Sequence, residues 1–153
     1  MKILFLDIDG VLNSADWFSR RTKPQQFDNL HELDIELTYL FDEIIERTNC
    51  KVVLSSTWRL SKTYQEDLER QGLNTNSIID RTPHMPLMGG AEAMERGKEI
   101  KAWLDNHQEV TGYVILDDDS DMLPEQLPNF FKTSWQTGIT REITDKIITH
   151  LMQ

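Results

Sequence analysis

The chain has 153 residues, 39% hydrophobic and 27% charged, a composition that predicts one soluble globular domain large enough for an ordinary core. Its formal net charge of -10 repels polyanions at long range and argues against extended, non-specific nucleic-acid binding, while leaving room for a local basic pocket around one phosphate. A single cysteine, Cys50, excludes an internal disulfide framework and suits a reducing, cytoplasmic setting, and no apolar run approaches the roughly 20 residues of a membrane span.

Residues 2–7 form a short apolar run without helical period and predict a buried strand. The run breaks at Asp7, too early for the apolar core of a signal peptide. It continues as Asp7-Ile8-Asp9-Gly10-Val11-Leu12, two carboxylates one residue apart with a glycine directly behind. In extended chain such a pair points to one side, which predicts a site that holds a cation and attacks an electrophile. Residues 13–27 are polar and aromatic with Pro24, and predict a loop or short flap on which Trp17, Phe18, Arg20 and Arg21 line a mouth. Ile35, Leu37, Leu40, Phe41, Ile44 and Ile45 recur at helical spacing and predict a helix over 34–48.

A second strand over 51–55 runs into the hydroxyl residues Ser55, Ser56 and Thr57, with Trp58 and Arg59 behind them. A helix over 61–71 stops at Gly72, and 77–80 reads as a weak third strand. The stretch 82–94 holds two prolines and two glycines and predicts a long loop. A helix over 95–107 carries Arg96 and Lys98 in its first turn and Ile100, Trp103 and Leu104 on one face. Residues 112–116 predict a fourth strand ending on Asp117-Asp118-Asp119, residues 130–133 a fifth, and a last helix starts at the N-cap Thr140.

Strands alternating with helices predict an α/β fold with a mainly parallel sheet covered on both faces, in one domain over 1–153. Ligands of such sheets bind at the carboxyl ends of the strands, where the strand order reverses. Both acidic motifs fall at such ends. Taken alone, each motif has an ordinary explanation: a solvated strand end, a hydroxyl turn, a surface lysine, an acidic loop. Their joint placement at strand and helix ends argues for one site. Three adjacent carboxylates repel one another unless solvated or neutralised, and their hard oxygens suit Mg²⁺. The histidines at 31, 84, 107 and 150 have no spacing that suggests zinc.

With these residues in this order, the chain resembles the haloacid dehalogenase (HAD) superfamily of phosphohydrolases over nearly its whole length. Asp7-Ile8-Asp9-Gly10-Val11 is similar to the first motif of that superfamily, Ser55 to the second, Lys98 to the third and Asp117-Asp118 to the fourth. More narrowly, Leu-Asp-Ile-Asp-Gly-Val-Leu-Asn, Ser-Ser-Thr-Trp-Arg, Arg-Gly-Lys-Glu-Ile and Ile-Leu-Asp-Asp-Asp resemble a small HAD group associated with RNA repair. That group is akin to the 3′-phosphatase domain of polynucleotide kinase-phosphatases.

The resemblance implies a three-layer α/β/α Rossmann-like fold with five strands and a minimal cap or none. It implies a Mg²⁺-dependent phosphohydrolase in which Asp7 is the nucleophile and Asp9 the general acid and base. Ser55 would donate to the phosphoryl group, with Ser56 or Thr57 in its place if the strand ends later. Lys98 would neutralise the phosphoryl charge, or Arg96 in its stead. Asp7, the Asp9 backbone carbonyl, and Asp117 or Asp118 would hold the metal, with Asp121 a further possible ligand. Gly10, Ser56, Arg59 and Arg96 would meet the substrate, and Trp58 would either stack on a base or pack. The implied substrate is a phosphorylated small molecule or a nucleic-acid end, with a nucleotide or polynucleotide 3′-phosphate foremost. Broad-specificity metabolite hydrolysis and a non-catalytic phosphate-binding module are the alternatives. The implied assembly is a monomer or weak dimer without membrane contact.

Overall fold

The structure, a computed structural model, describes residues 1–21, 32–85 and 95–153. Five strands, β1 (Lys2–Leu6), β2 (Lys51–Leu54), β3 (Ile78–Arg81), β4 (Gly112–Asp117) and β5 (Phe130–Lys132), form one sheet in the order β3-β2-β1-β4-β5. Every pairing is parallel, so the sheet is wholly rather than mainly so. Among the described residues five α-helices accompany it: α1 (Ala15–Arg20), α2 (Ile35–Thr48), α3 (Tyr64–Arg70), α4 (Arg96–Asp105) and α5 (Arg141–Met152).

The central strand explains the layering. Ile3, Leu4, Phe5 and Leu6 are all fully buried, as a parallel strand covered on both faces must be. Alternation sends Leu4 and Leu6 into a core shared with Phe41 and Ile44 of α2, Leu68 of α3, and Ile147 and Ile148 of α5. Ile3 and Phe5 face the other way, into a cluster with Ile100 and Trp103 of α4. One face therefore carries three helices and the other carries α4, giving the α/β/α sandwich. Phe5 meets the Trp103 ring edge-on at 5.5 Å, which fixes α4 against the strand that leads to the first acidic motif.

The helix ends follow the local chemistry. Asp34 caps α2 by accepting from the Glu36 N–H, and Asn49 closes it in the left-handed region. Thr140 caps α5 by accepting from Ile143 N. Cys50 is buried just ahead of β2, as a small apolar residue would be.

Two expectations change. The segment expected as a loop or flap begins with a helix, α1, capped by Ser14. The helix expected over 61–71 is the shorter α3, and a 3₁₀ turn not expected, Thr57–Leu60, precedes it. The remainder of the flap expected over 13–27, and most of the loop expected over 82–94, lie outside the described residues. No described helix is long and apolar enough to cross a membrane.

Strand order and register place the site. The chain steps outward from β1 through β2 to β3, then returns through α4 to β4 on the opposite side of β1. The order therefore reverses between β1 and β4, where ligands bind in open α/β sheets. Leu6 is in register with Leu54 on one side and Leu116 on the other. The ladder runs one step further: Asp7 N donates to Leu116 O at 3.0 Å, Ser55 N to Leu6 O at 2.9 Å and Thr133 N to Asp117 O at 2.9 Å. Asp7, Ser55 and Asp117 consequently stand in one row along the edge of the sheet.

Candidate active site

Alternation decides where the two central carboxylates face. Asp7 continues the Ile3–Phe5 side of β1, and Asp117 continues the Ile115 side of β4. Both sides meet α4, and α4 opens with Arg96. The Arg96 guanidinium lies 3.6 Å from Asp7 Oδ1 and 3.9 Å from Asp117 Oδ2. Asp118 joins them, and oxygens of Asp7, Asp117 and Asp118 all fall within 4.8 Å of one another.

This proximity is electrostatically costly. Burial pushes the Asp7 carboxyl up to about 6, against the pull of Arg96 and a hydrogen bond from Ser56. Burial, and then the charge of Asp7, push Asp117 up to about 8. A single guanidinium does not offset three carboxylates. Two buried atoms here also lack hydrogen-bond partners, Asp117 Oδ2 and Arg96 Nη1. An acceptor without a donor beside a donor without an acceptor fits a cation and an anion bound side by side. The three hard oxygen donors fit a divalent ion such as Mg²⁺.

Gly10 makes the cluster possible. Its φ of +80° lies in the left-handed region, and a Cβ there would fall 2.2 Å from Asp118 Oδ2. Gly10 is buried, its N–H donates to Asn13 Oδ1 and its carbonyl accepts from Thr133 Oγ1. Its place is thus under Asp118 rather than against a substrate. Gly97 has a comparable part in α4, where a Cβ would fall 2.6 Å from Leu123 N. Its absence lets the helix start press against the loop after β4. There Asp121 Oδ2 accepts from Arg96 N at 2.8 Å, so Asp121 caps α4 and stands outside the acidic cluster.

The structure redistributes several expected roles. Lys98 is exposed and pairs with Glu95 at 3.3 Å, so Arg96 is the cation that α4 brings to the acids. Position 98 lies on the solvent side of a helix whose other side is docked. The Ser55 hydroxyl is buried without a partner, whereas Ser56 hydrogen-bonds Asp7 and accepts from Trp58 N. β2 ends at Leu54, earlier than expected, and the hydroxyl that meets Asp7 is that of Ser56, which caps the 3₁₀ turn beyond the strand.

Arg59 does not face a substrate. It is 3% exposed, pairs with Glu99 at 2.7 Å, and also donates to the carbonyls of Ser55, Ser56, Thr82 and Pro83. A guanidinium has five N–H donors, and these contacts engage all five. Arg59 is therefore a buried clamp tying the turn after β2 to α4. Asp9, by contrast, is exposed, and its oxygens accept from Asn13 Nδ2 at 2.8 Å and Trp58 Nε1 at 3.2 Å. Asn13 and Trp58 as partners of Asp9 were not foreseen in these roles. Their polar side chains next to the two motifs were the available signal.

Residues 3–143 match the family described as the HAD domain in Swiss Army Knife RNA repair proteins. The chain belongs to this family. Among solved structures, this HAD domain is similar to the HAD domain of the effector protein Lem4 from Legionella pneumophila, with a TM-score of 0.58 and 17% identity. The match covers 98% of this chain and 95% of that one, and at such identity it speaks to the fold alone. No curated protein matches the chain. The acidic triad stands where a HAD domain carries its metal site.

Two outcomes follow from the electrostatics. Because the folded state raises Asp7 and Asp117 above the ordinary value of 3.8, it binds protons more tightly than the unfolded chain between about pH 4 and 8. In EDTA, stability should therefore fall as pH rises through that window, and Asp117→Asn should flatten the fall. Mg²⁺ should raise the melting temperature strongly at pH 8 and little at pH 5, as read by differential scanning calorimetry. Second, Glu99→Ala leaves the Arg59 charge buried and unpaired, and should cost about 3–5 kcal/mol in urea unfolding.

Proposed function

We propose that this HAD domain is a Mg²⁺-dependent phosphohydrolase that works through an aspartyl-phosphate on Asp7, with a nucleotide or polynucleotide 3′-phosphate as substrate. The observation that carries this reading is the pair of buried atoms without hydrogen bonds, Arg96 Nη1 and Asp117 Oδ2, in the cluster that holds the Asp7 carboxylate. Arg96 would hold a phosphate and Asp117 a cation, with the Asp7 carboxylate beside both residues. Asp7, Asp117, Asp118 and the Asp9 backbone carbonyl are the residues that would hold Mg²⁺. When bound, the ion would neutralise charge that otherwise keeps a carboxylate from approaching a phosphate.

The remaining chemistry belongs to the chain. An oxygen of Asp7 bonds to phosphorus while the ester P–O bond breaks, and Asp9 supplies the proton to the leaving oxygen. Asp9 then takes a proton from the water whose oxygen displaces Asp7 from phosphorus. The burial of Asp7 and the exposure of Asp9 support this division, because the nucleophile needs a dry, fixed setting while the acid must meet both leaving group and water. Arg96 neutralises the transferring phosphoryl group and the Ser56 hydroxyl donates to it.

The family's place in RNA repair proteins supports a nucleic-acid end as the substrate. The net charge of -10 restricts recognition to that end. With its one thiol buried, we assign the protein to the cytoplasm, as a monomer or weak dimer.

Hydrolysis of 4-nitrophenyl phosphate and of a 3′-phosphorylated oligonucleotide tests the reading. Turnover should require Mg²⁺, and Asp7→Asn should lower kcat by more than about 10³-fold. A higher kcat/KM on the oligonucleotide supports the 3′-phosphatase, whereas preference for small esters favours a broad metabolite phosphatase. No turnover on either, with Mg²⁺ bound, favours a phosphate-binding module. The two cations separate in the same assay: Arg96→Ala should lose at least about 10²-fold in kcat, the scale of one oxyanion donor. Lys98→Ala should stay within about twofold, as a solvent-facing side chain does.

A further inference from the structure

Asp9 is held at both oxygens by N–H donors from two different loops. Asn13 Nδ2 donates to Oδ1 at 2.8 Å, and Trp58 Nε1 donates to Oδ2 at 3.2 Å. Asn13 is itself buried and fixed, since its own Oδ1 accepts from Gly10 N at 2.9 Å. Trp58 is fixed from the other side: its backbone N–H donates to Ser56 Oγ, and its ring packs against the larger core cluster. The Asn13 bond is partly buried and the Trp58 bond exposed, so the Trp58 bond is on the more open side of Asp9.

We propose that Trp58 is a positioning residue for acid–base catalysis, its indole N–H aiming Asp9 Oδ2, the oxygen that passes the proton, at the ester oxygen of a substrate on Asp7. This rests on the phosphohydrolase reading above. In the first half-reaction the Oδ2 proton moves to the ester oxygen as the ester P–O bond breaks and the Asp7 O–P bond forms. In the second, Oδ2 takes a proton from water as the water oxygen bonds to phosphorus and the Asp7 O–P bond breaks. A carboxylate oxygen has two lone pairs, so the indole N–H occupies one while the other exchanges the proton. Indole nitrogen is a donor only and never takes the proton itself. A hydroxyl or imidazole at this position would compete for it.

A residue that aims a general acid matters in proportion to how much the leaving group needs a proton. The 4-nitrophenolate ion leaves without one, whereas an alkoxide such as a ribose 3′-oxygen does not. Trp58→Phe keeps a ring against the core and removes the N–H, so its effect should depend on the ester.

The test is steady-state kinetics with Mg²⁺ on 4-nitrophenyl phosphate and on two alkyl esters, a 3′-phosphorylated oligonucleotide and glycerol phosphate. On the alkyl esters Trp58→Phe should lower kcat/KM, which reads the first half-reaction and not the attack of water, by about 10–100-fold, a large part of the contribution of general acid catalysis. On the aryl ester the loss should be at least fivefold smaller. If Trp58→Phe melts below the assay temperature, substituting benzothienylalanine for Trp58, which exchanges N–H for sulfur at nearly constant shape, gives the same comparison. Equal losses in kcat/KM on aryl and alkyl esters overturn the inference and leave the phosphohydrolase reading standing. Absence of turnover on all three esters by the unaltered chain overturns both.

Discussion

Mutual repulsion among Asp7, Asp117 and Asp118 is the constraint around which the carboxyl edge of the sheet is built. Away from bulk water such charges interact several-fold more strongly than in it, and one guanidinium at 3.6 and 3.9 Å offsets only part of the sum. The carboxyls respond by holding protons that free aspartates would lose. Their closeness is nevertheless imposed by the backbone. Parallel register brings Leu6 and Leu116 level, and the residue or two beyond them must stand side by side. Asp118 is admitted only because Gly10 has no side chain. The fold thus fixes an arrangement that charge alone would disperse, and a bound cation is the economical way to stabilise it.

The two arginines near this edge show how hydrogen-bond accounting separates structure from chemistry. Arg59 and Arg96 both lie close to the acids, and net charge does not distinguish them. Every donor of Arg59 has a protein acceptor, and Glu99 balances its charge. Nothing is left over for a ligand. Arg96 keeps a buried Nη1 that makes no hydrogen bond. The two are nonetheless connected: Glu99 lies three residues after Arg96 on one face of α4. The Arg59–Glu99 pair therefore anchors the helix that presents Arg96, and it ties the Ser55–Ser56 turn to the same helix. Asp121, capping α4 from the loop after β4, adds a second anchor.

Much of this was legible in the sequence, for reasons that vary by element. The apolar runs of β1 and β4 and the helical period of α2 sit in strongly patterned stretches, where burial sets the choice of residue. Six residues of polar and aromatic character gave α1 no such period. At the second motif the chain leaves β2 after Leu54, so strand alternation no longer sets which hydroxyl meets Asp7. Both serines are buried, and it is Ser56, at the start of the 3₁₀ turn, that hydrogen-bonds Asp7. Lys98 and Arg96 sit two residues apart on a helix, and choosing between them required knowing which face docks. Arg59 resembled a substrate contact because its partner, Glu99, lies forty residues further along and becomes a neighbour only through α4.

Asp7 and Asp9 are separated by one residue, yet the fold gives them opposite surroundings. Asp7 still belongs to the sheet: its N–H extends the ladder to Leu116 O and its side chain is closed in by α4. Asp9 has left it. Between Ile8 and the left-handed Gly10 the chain turns, and Val11 N and Leu12 N both donate back to Ile8 O. That turn carries Asp9 into solvent, where, among the described residues, side-chain donors from Asn13 and Trp58 hold it. Two groups of one chemical type take different roles when their environments differ. Here the difference arises from where a strand stops and how tightly the next residues turn. The partners of Asp9 come from the loops after β1 and β2, so its aim depends on those two strands ending level. Leu6 and Leu54, paired in register, meet that condition.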